Sequence, residues 1–167
     1  MQARYKNALM WALYGVLMLM IMVLQTVVFG HARFFSSKLC LVPVTLACVA
    51  MYTGAEDGGI FGLVTGVFWC LSGADGGGLM IVLCTLCAVF EGYLCERIFN
   101  RNLVSALMMS LMALLVCQLT LLAFKAYLGQ SGAEALWPLL TQIFLSMLAC
   151  PPIMLAAWLI RKAGSNS

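Results

Sequence analysis

The chain has 167 residues, of which 64% are hydrophobic and only 9% charged, and it carries a net charge of +3. An average soluble domain is about 45–50% apolar and about 25% charged. A soluble fold of this length has no way to keep the excess apolar surface from water, so an ordinary water-soluble domain is excluded. The basic residues are scattered, with no long Lys/Arg run and no basic patch interleaved with aromatics, which argues against nucleic acid as a partner.

The apolar runs are continuous rather than alternating, which predicts membrane-spanning helices and not a β-barrel. A helix crosses the hydrocarbon core in about 20 residues. The first run covers residues 8–29, behind Arg4 and Lys6. It is longer than the roughly 7–15 residues of a signal-peptide core, and no small-residue cleavage site follows, so it is predicted to be a retained first span. A polar junction from His31 to Lys38 leads to a second run over 39–53, which ends in Gly54-Ala55-Glu56-Asp57. The third run covers 58–73 and closes on Gly73-Ala74-Asp75-Gly76-Gly77-Gly78. The fourth covers 78–95, the fifth 103–128 and the sixth 135–160, with Arg161 and Lys162 at its end. The expected architecture is therefore all-α: one polytopic transmembrane domain of about six helices. The second and third runs are short, about 22 Å for 15 helical residues. They are read as two tilted or broken crossings, with a hairpin that enters and returns on one side as the alternative. Either way both ends of the chain lie on one side. With six crossings, one set of flanks holds Arg4, Lys6, Arg97, Arg101, Arg161 and Lys162, against Arg33, Lys38 and Lys125 on the other. The basic excess predicts that both ends are cytoplasmic.

Local signals refine the boundaries. Ser131-Gly132-Ala133-Glu134 fits a capping box at the start of the sixth helix, and Asp75 is placed to cap the fourth. Glu56-Asp57 reads as a capping pair. Pro151-Pro152 should kink or break the sixth helix. Gly58, Gly62 and Gly66 recur at one-turn spacing, which predicts a helix face that touches another backbone, by default within the chain. Glu91 lies inside the fourth span, where a charge is costly unless paired or near the interface. It is read as a carboxylate that snorkels or pairs with Arg97 or Arg101 near the head groups, with a proton or substrate site as the sharper alternative. Gln25, Gln118 and Gln142 are intramembrane amides suited to interhelical hydrogen bonds.

Nothing in the sequence assembles a catalytic site, so no enzymatic role is expected. The one histidine, His31, falls in a junction, and there is no nucleophile elbow or phosphate-binding glycine loop. The eight cysteines sit in or beside apolar runs rather than in a secreted disulfide framework. Cys84-x-x-Cys87 has the spacing of half a zinc site but lacks a second pair, and is read as packing. No cofactor, metal or small-molecule substrate is expected.

The segment 43–103 resembles the rod shape-determining protein MreD family. Pro43, Met51-Tyr52, Gly62 and Gly66, Leu71-Ser72-Gly73, Gly92-Tyr93-Leu94, and Arg97 with Asn100-Arg101-Asn102 carry the likeness. The segment is a little over a third of the chain, and its motifs are built from common membrane residues. Where that family often has an acid three positions before the serine, this chain has Trp69. The resemblance implies a non-enzymatic scaffold of the cell-wall elongation machinery, or elongasome, involved in cell shape and peptidoglycan synthesis in the bacterial cytoplasmic membrane. Its implied partners are membrane lipids, an MreC-like protein and, through it, MreB, RodA and a class B penicillin-binding transpeptidase. It also implies a fold like that of the substrate-binding S components of energy-coupling-factor transporters. Such an S component is the alternative function, and it would require polar and aromatic side chains converging on a ligand pocket. On the scaffold reading, Gly58, Gly62, Gly66, Ser72 and Gly73 are the helix-packing or partner-contact candidates, and Glu91, Gln118 and Gln142 the intramembrane polar candidates.

Overall fold

A computed structural model describes residues 2–28, 40–72, 76–98, 101–129 and 136–166. All regular structure in these residues is helical. Helix α1 (Gln2–Val23) runs into a single π-helical turn, Leu24–Val28. It is followed by α2 (Val42–Thr53), α3 (Ala55–Leu71), α4 (Gly78–Arg97), α5 (Leu103–Tyr127), α6 (Leu136–Leu148) and α7 (Cys150–Asn166).

Among the described residues, four helical segments are long and apolar enough to cross a membrane: Leu9–Val27, Gly78–Arg97, Leu103–Tyr127 and Trp137–Lys162, the last made of α6 and α7 together. Their outward faces are apolar, with Met20, Val82, Leu86, Val104 and Phe144 all more than half exposed. Water would not tolerate so much contiguous apolar surface, whereas lipid does. This is the build of a helical membrane protein.

The shortest helix is the centre of the molecule. Every residue from 40 to 51 is buried, so α2 has no outward face. It packs against α1, α3, α4, α5 and α7. Twelve residues of helix reach only about 18 Å, so neighbouring helices, not lipid, surround α2. Pro43 sits in its first turn, where the missing N–H is not needed.

One residue, Gly54, turns the chain from α2 into α3. Its φ of 93° lies in the left-handed region that glycine enters without penalty. Helix α3 therefore starts at Ala55, earlier than the glycine cluster suggests, and Glu56 and Asp57 fall in its first turn, where acidic groups complement the helix dipole. Helix α3 packs tightly on α4 and α2.

The sixth apolar run is two helices, broken at Ala149. The break lies just ahead of Pro151-Pro152, because both prolines fit the first turn of α7 but not the interior of a continuous helix. The helix directions follow from two contacts. The Tyr14 hydroxyl donates to the Ala157 carbonyl at 3.4 Å, which sets α1 beside α7. The Arg161 guanidinium lies 5.5 Å from the centre of the Tyr52 ring, which brings the ends of α2 and α7 together. Glu96, at the end of α4, meets the Gly54 turn from the same end of the molecule.

Candidate functional site

The α3–α4 interface is built on glycine. A Cβ at Gly62 would lie 2.7 Å from the Cys84 carbonyl oxygen and 2.9 Å from the Ala88 Cβ. One at Gly66 would lie 2.7 Å from the Ile81 Cα. At Gly58 the neighbours are Ala50 of α2, 3.2 Å away, and the Ala88 carbonyl. All three glycines are buried, and their face is covered from within the chain. Gly92 answers from α4, since a Cβ there would meet the Gly54 carbonyl at 2.6 Å. Where side chains are absent, helix backbones gain dispersion contact directly. Beside this contact, the Glu96 carboxylate accepts a hydrogen bond from the Ala55 amide at 3.4 Å.

Ser72 closes α3 by donating from its hydroxyl to the Trp69 carbonyl at 2.7 Å. Trp69 itself is buried, and its indole N–H has no hydrogen-bond partner among the described residues. Gly73 and Asp75 lie outside the described residues, as do His31 and the Ser131–Glu134 capping box.

The start of α2 is capped from two other helices. The Gln25 side-chain oxygen accepts from the Leu41 and Val42 amides at 2.9 and 3.2 Å. Ser146 of α6 accepts from the Cys40 amide at 3.0 Å. Gln25 sits in the π-helical turn, so the irregular end of α1 supplies the acceptor that the short helix lacks. The sequence marks Gln25 as an interhelical donor or acceptor. It holds no signal for Ser146, a small hydroxyl in an apolar run.

Glu91 departs from the paired or snorkelling carboxylate expected of it. It is 2% exposed, and neither carboxylate oxygen has a hydrogen-bond partner among the described residues. The cause is helical phase. Cys84, Cys87, Ala88, Glu91, Gly92 and Cys95 form the buried stripe of α4, and Glu91 occupies a central place in it. Arg97, six residues on, is rotated by about 240° and faces outward. There it lies over the Tyr93 ring at 5.5 Å. Glu91 instead contributes to a groove of about 290 Å³ between α4 and α5, walled by Leu86, Phe90, Leu94, Met109, Met112 and Ala113, among others.

Gln118 is buried on α5 and Gln142 half-buried on α6. Neither lines the Glu91 groove, so the three polar candidates do not converge. Cys84 and Cys87 are buried along with five of the other cysteines, and Cys70 is partly exposed. Among the described residues, no group of three or more His, Cys, Asp or Glu is arranged to hold a metal ion. Set against known proteins, the chain matches no family model, no curated protein and no solved structure.

Proposed function

We propose that this chain is a non-enzymatic scaffold of the MreD kind, crossing the bacterial cytoplasmic membrane six times with both ends in the cytoplasm. It serves the machinery that builds lateral cell wall, and it contacts an MreC-like protein and, through it, MreB, RodA and a class B transpeptidase. The observation that carries this reading is the use made of the residues that resemble that family. Gly62, Gly66 and Gly92 are points of backbone contact, and Ser72 is a helix cap. Residues used in this way build a shaped surface for other helices rather than a reacting centre. The six-span layout draws support from the common end at which Tyr52, Glu96 and Arg161 meet. It needs α2 to cross as a helix sheathed in protein.

The test is co-purification of this chain with an MreC-like protein co-expressed from the same source. Co-elution is expected, with loss in Gly62→Leu and retention in Gly15→Ala, where an added Cβ meets open space. A tightly held vitamin in the purified chain, with no MreC-like partner, would overturn the scaffold in favour of the transporter component.

A further inference from the structure

We infer that Arg101 and Arg161 form a site for the phosphate of a net-anionic phospholipid head group, at the end of the bundle where α2, α5 and α7 meet. The site stands apart from the scaffold role and does not depend on it.

Three observations carry it. The first is a convergence of cations that lack an acid. Arg161, near the end of α7, lies over the Tyr52 ring at 5.5 Å. Arg101 comes from the segment just ahead of α5, and both guanidiniums act electrostatically on the Tyr52 and Tyr14 hydroxyls. Among the described residues, neither arginine forms an ion pair with a carboxylate. The acids of this end are placed elsewhere. Glu56 and Asp57 open α3, which packs on α4 and α2, and Glu96 accepts from the Ala55 amide. Two guanidiniums brought near one another repel, and a shared anion removes that cost. The second is the helix end. Helix α5 is 25 residues long, and its N-cap, Asn102, makes no side-chain capping hydrogen bond among the described residues. The positive end of the helix dipole is thus open, directly after Arg101. The third is depth. Arg97 lies over the Tyr93 ring at 5.5 Å and Lys162 over the Trp158 ring at 5.0 Å, and both rings are nearly half exposed. A belt of half-exposed rings and cations marks the level of the head groups, which is where lipid phosphate lies.

Charge and surroundings select the ligand class. A guanidinium presents a planar fork of donors that matches phosphate oxygens, and two forks from different elements hold one phosphate from two sides. A choline head group brings a cation of its own to the arginines, whereas a net-anionic head group does not, so the net charge of the lipid is what the site discriminates. The acyl chains find apolar surface beside it, since Ile98, Leu103 and Val104 are all exposed. A soluble phosphate ester meets the same arginines but gains nothing from that surface.

The chain is purified in a mild detergent, and bound lipid is counted by native mass spectrometry after addition of phosphatidylglycerol or of phosphatidylcholine with the same acyl chains. One phosphatidylglycerol is expected to be retained, about tenfold more tightly than phosphatidylcholine, the discrimination that a charge-assisted hydrogen bond supplies. Arg101→Ala and Arg161→Ala should each weaken retention by about tenfold on the same grounds. Arg161→Lys, which keeps the charge and loses the fork, should fall between. Arg97→Ala removes the same charge from the same end of the molecule and should leave retention unchanged, because Arg97 turns outward over Tyr93. Arg101 is exposed, so its removal tests the site in a folded protein even if Arg161→Ala, which also loses the contact with Tyr52, does not fold. Equal retention of the two lipids, or retention unchanged in Arg101→Ala, would overturn the site. So would a loss in Arg97→Ala as large as that in Arg101→Ala, which would mean attraction by net charge alone. Displacement of the lipid by an equal concentration of free glycerol 3-phosphate would overturn the lipid in favour of a soluble phosphate ester.

Discussion

At Gly62 and Gly66 the two backbones of α3 and α4 approach so closely that a single methyl has no room. Overpacking of a filled interior typically costs about 1–3 kcal/mol. Here the obstructing atoms are backbone at Cys84 and Ile81, which cannot rotate away. Gly62→Leu and Gly66→Leu are therefore expected to lower the unfolding midpoint in detergent at the high end of that range. Gly15→Ala is the control. It meets nothing within 4 Å and should be neutral, or stabilising by up to about 1 kcal/mol through helix propensity. Thermal unfolding of the three variants side by side checks the ordering, and equal midpoints would refute the close approach. The one-turn glycine spacing was legible in the sequence because it is a local periodicity. The burial of Glu91 was not: its place near the end of an apolar run suggested a paired or snorkelling carboxylate, whereas it sits in the buried stripe of α4 with Cys87 and Cys95. Its separation from Arg97 is also helical phase, and nearness in sequence misleads there.

Among the elements, α2 depends most on its neighbours. A 12-residue helix contributes little stability on its own. Its N-cap, Leu41, offers no side-chain acceptor. Gln25 and Ser146 supply acceptors from α1's terminal turn and from α6. Gln25→Leu leaves the Leu41 and Val42 amides without a partner in a buried site, at about 1–3 kcal/mol for each such group. The expected result is a destabilisation larger than that of Ser146→Ala, which orphans one amide, measured as unfolding midpoints in the same detergent. If Gln25→Leu unfolds like the parent chain, the cap is not a working contact. The division of the last apolar run into α6 and α7 has a simpler origin. Pro151 and Pro152 lack the N–H groups that a continuous helix would need there, so the chain restarts just ahead of them.

For the molecule as a whole, burial makes a direct prediction about thiol chemistry. Seven of the eight cysteines are buried, and only Cys70, near the end of α3, is partly exposed. A maleimide added to the folded protein in micelles should modify one thiol rapidly, at Cys70, and all eight after denaturation. Rapid modification of a second site, read by peptide mass mapping, would contradict this packing. The sequence by itself determined that the chain is helical and suited to lipid. Composition and run length decide this, because every backbone group within the hydrocarbon core must be satisfied inside its own segment. It also determined the glycine face of α3 and the neighbourhood of the break at Pro151-Pro152, both of which are written in local spacing. Only the tertiary structure decided that the shortest helix is the most deeply enclosed, that Gln25 and Ser146 cap it, and that Glu91 is buried between helices instead of meeting an arginine. These depend on which helices lie side by side. In a chain whose helices are apolar nearly all round, hydrophobic pattern does not say which face turns inward, and packing between small residues and scarce polar groups makes that choice.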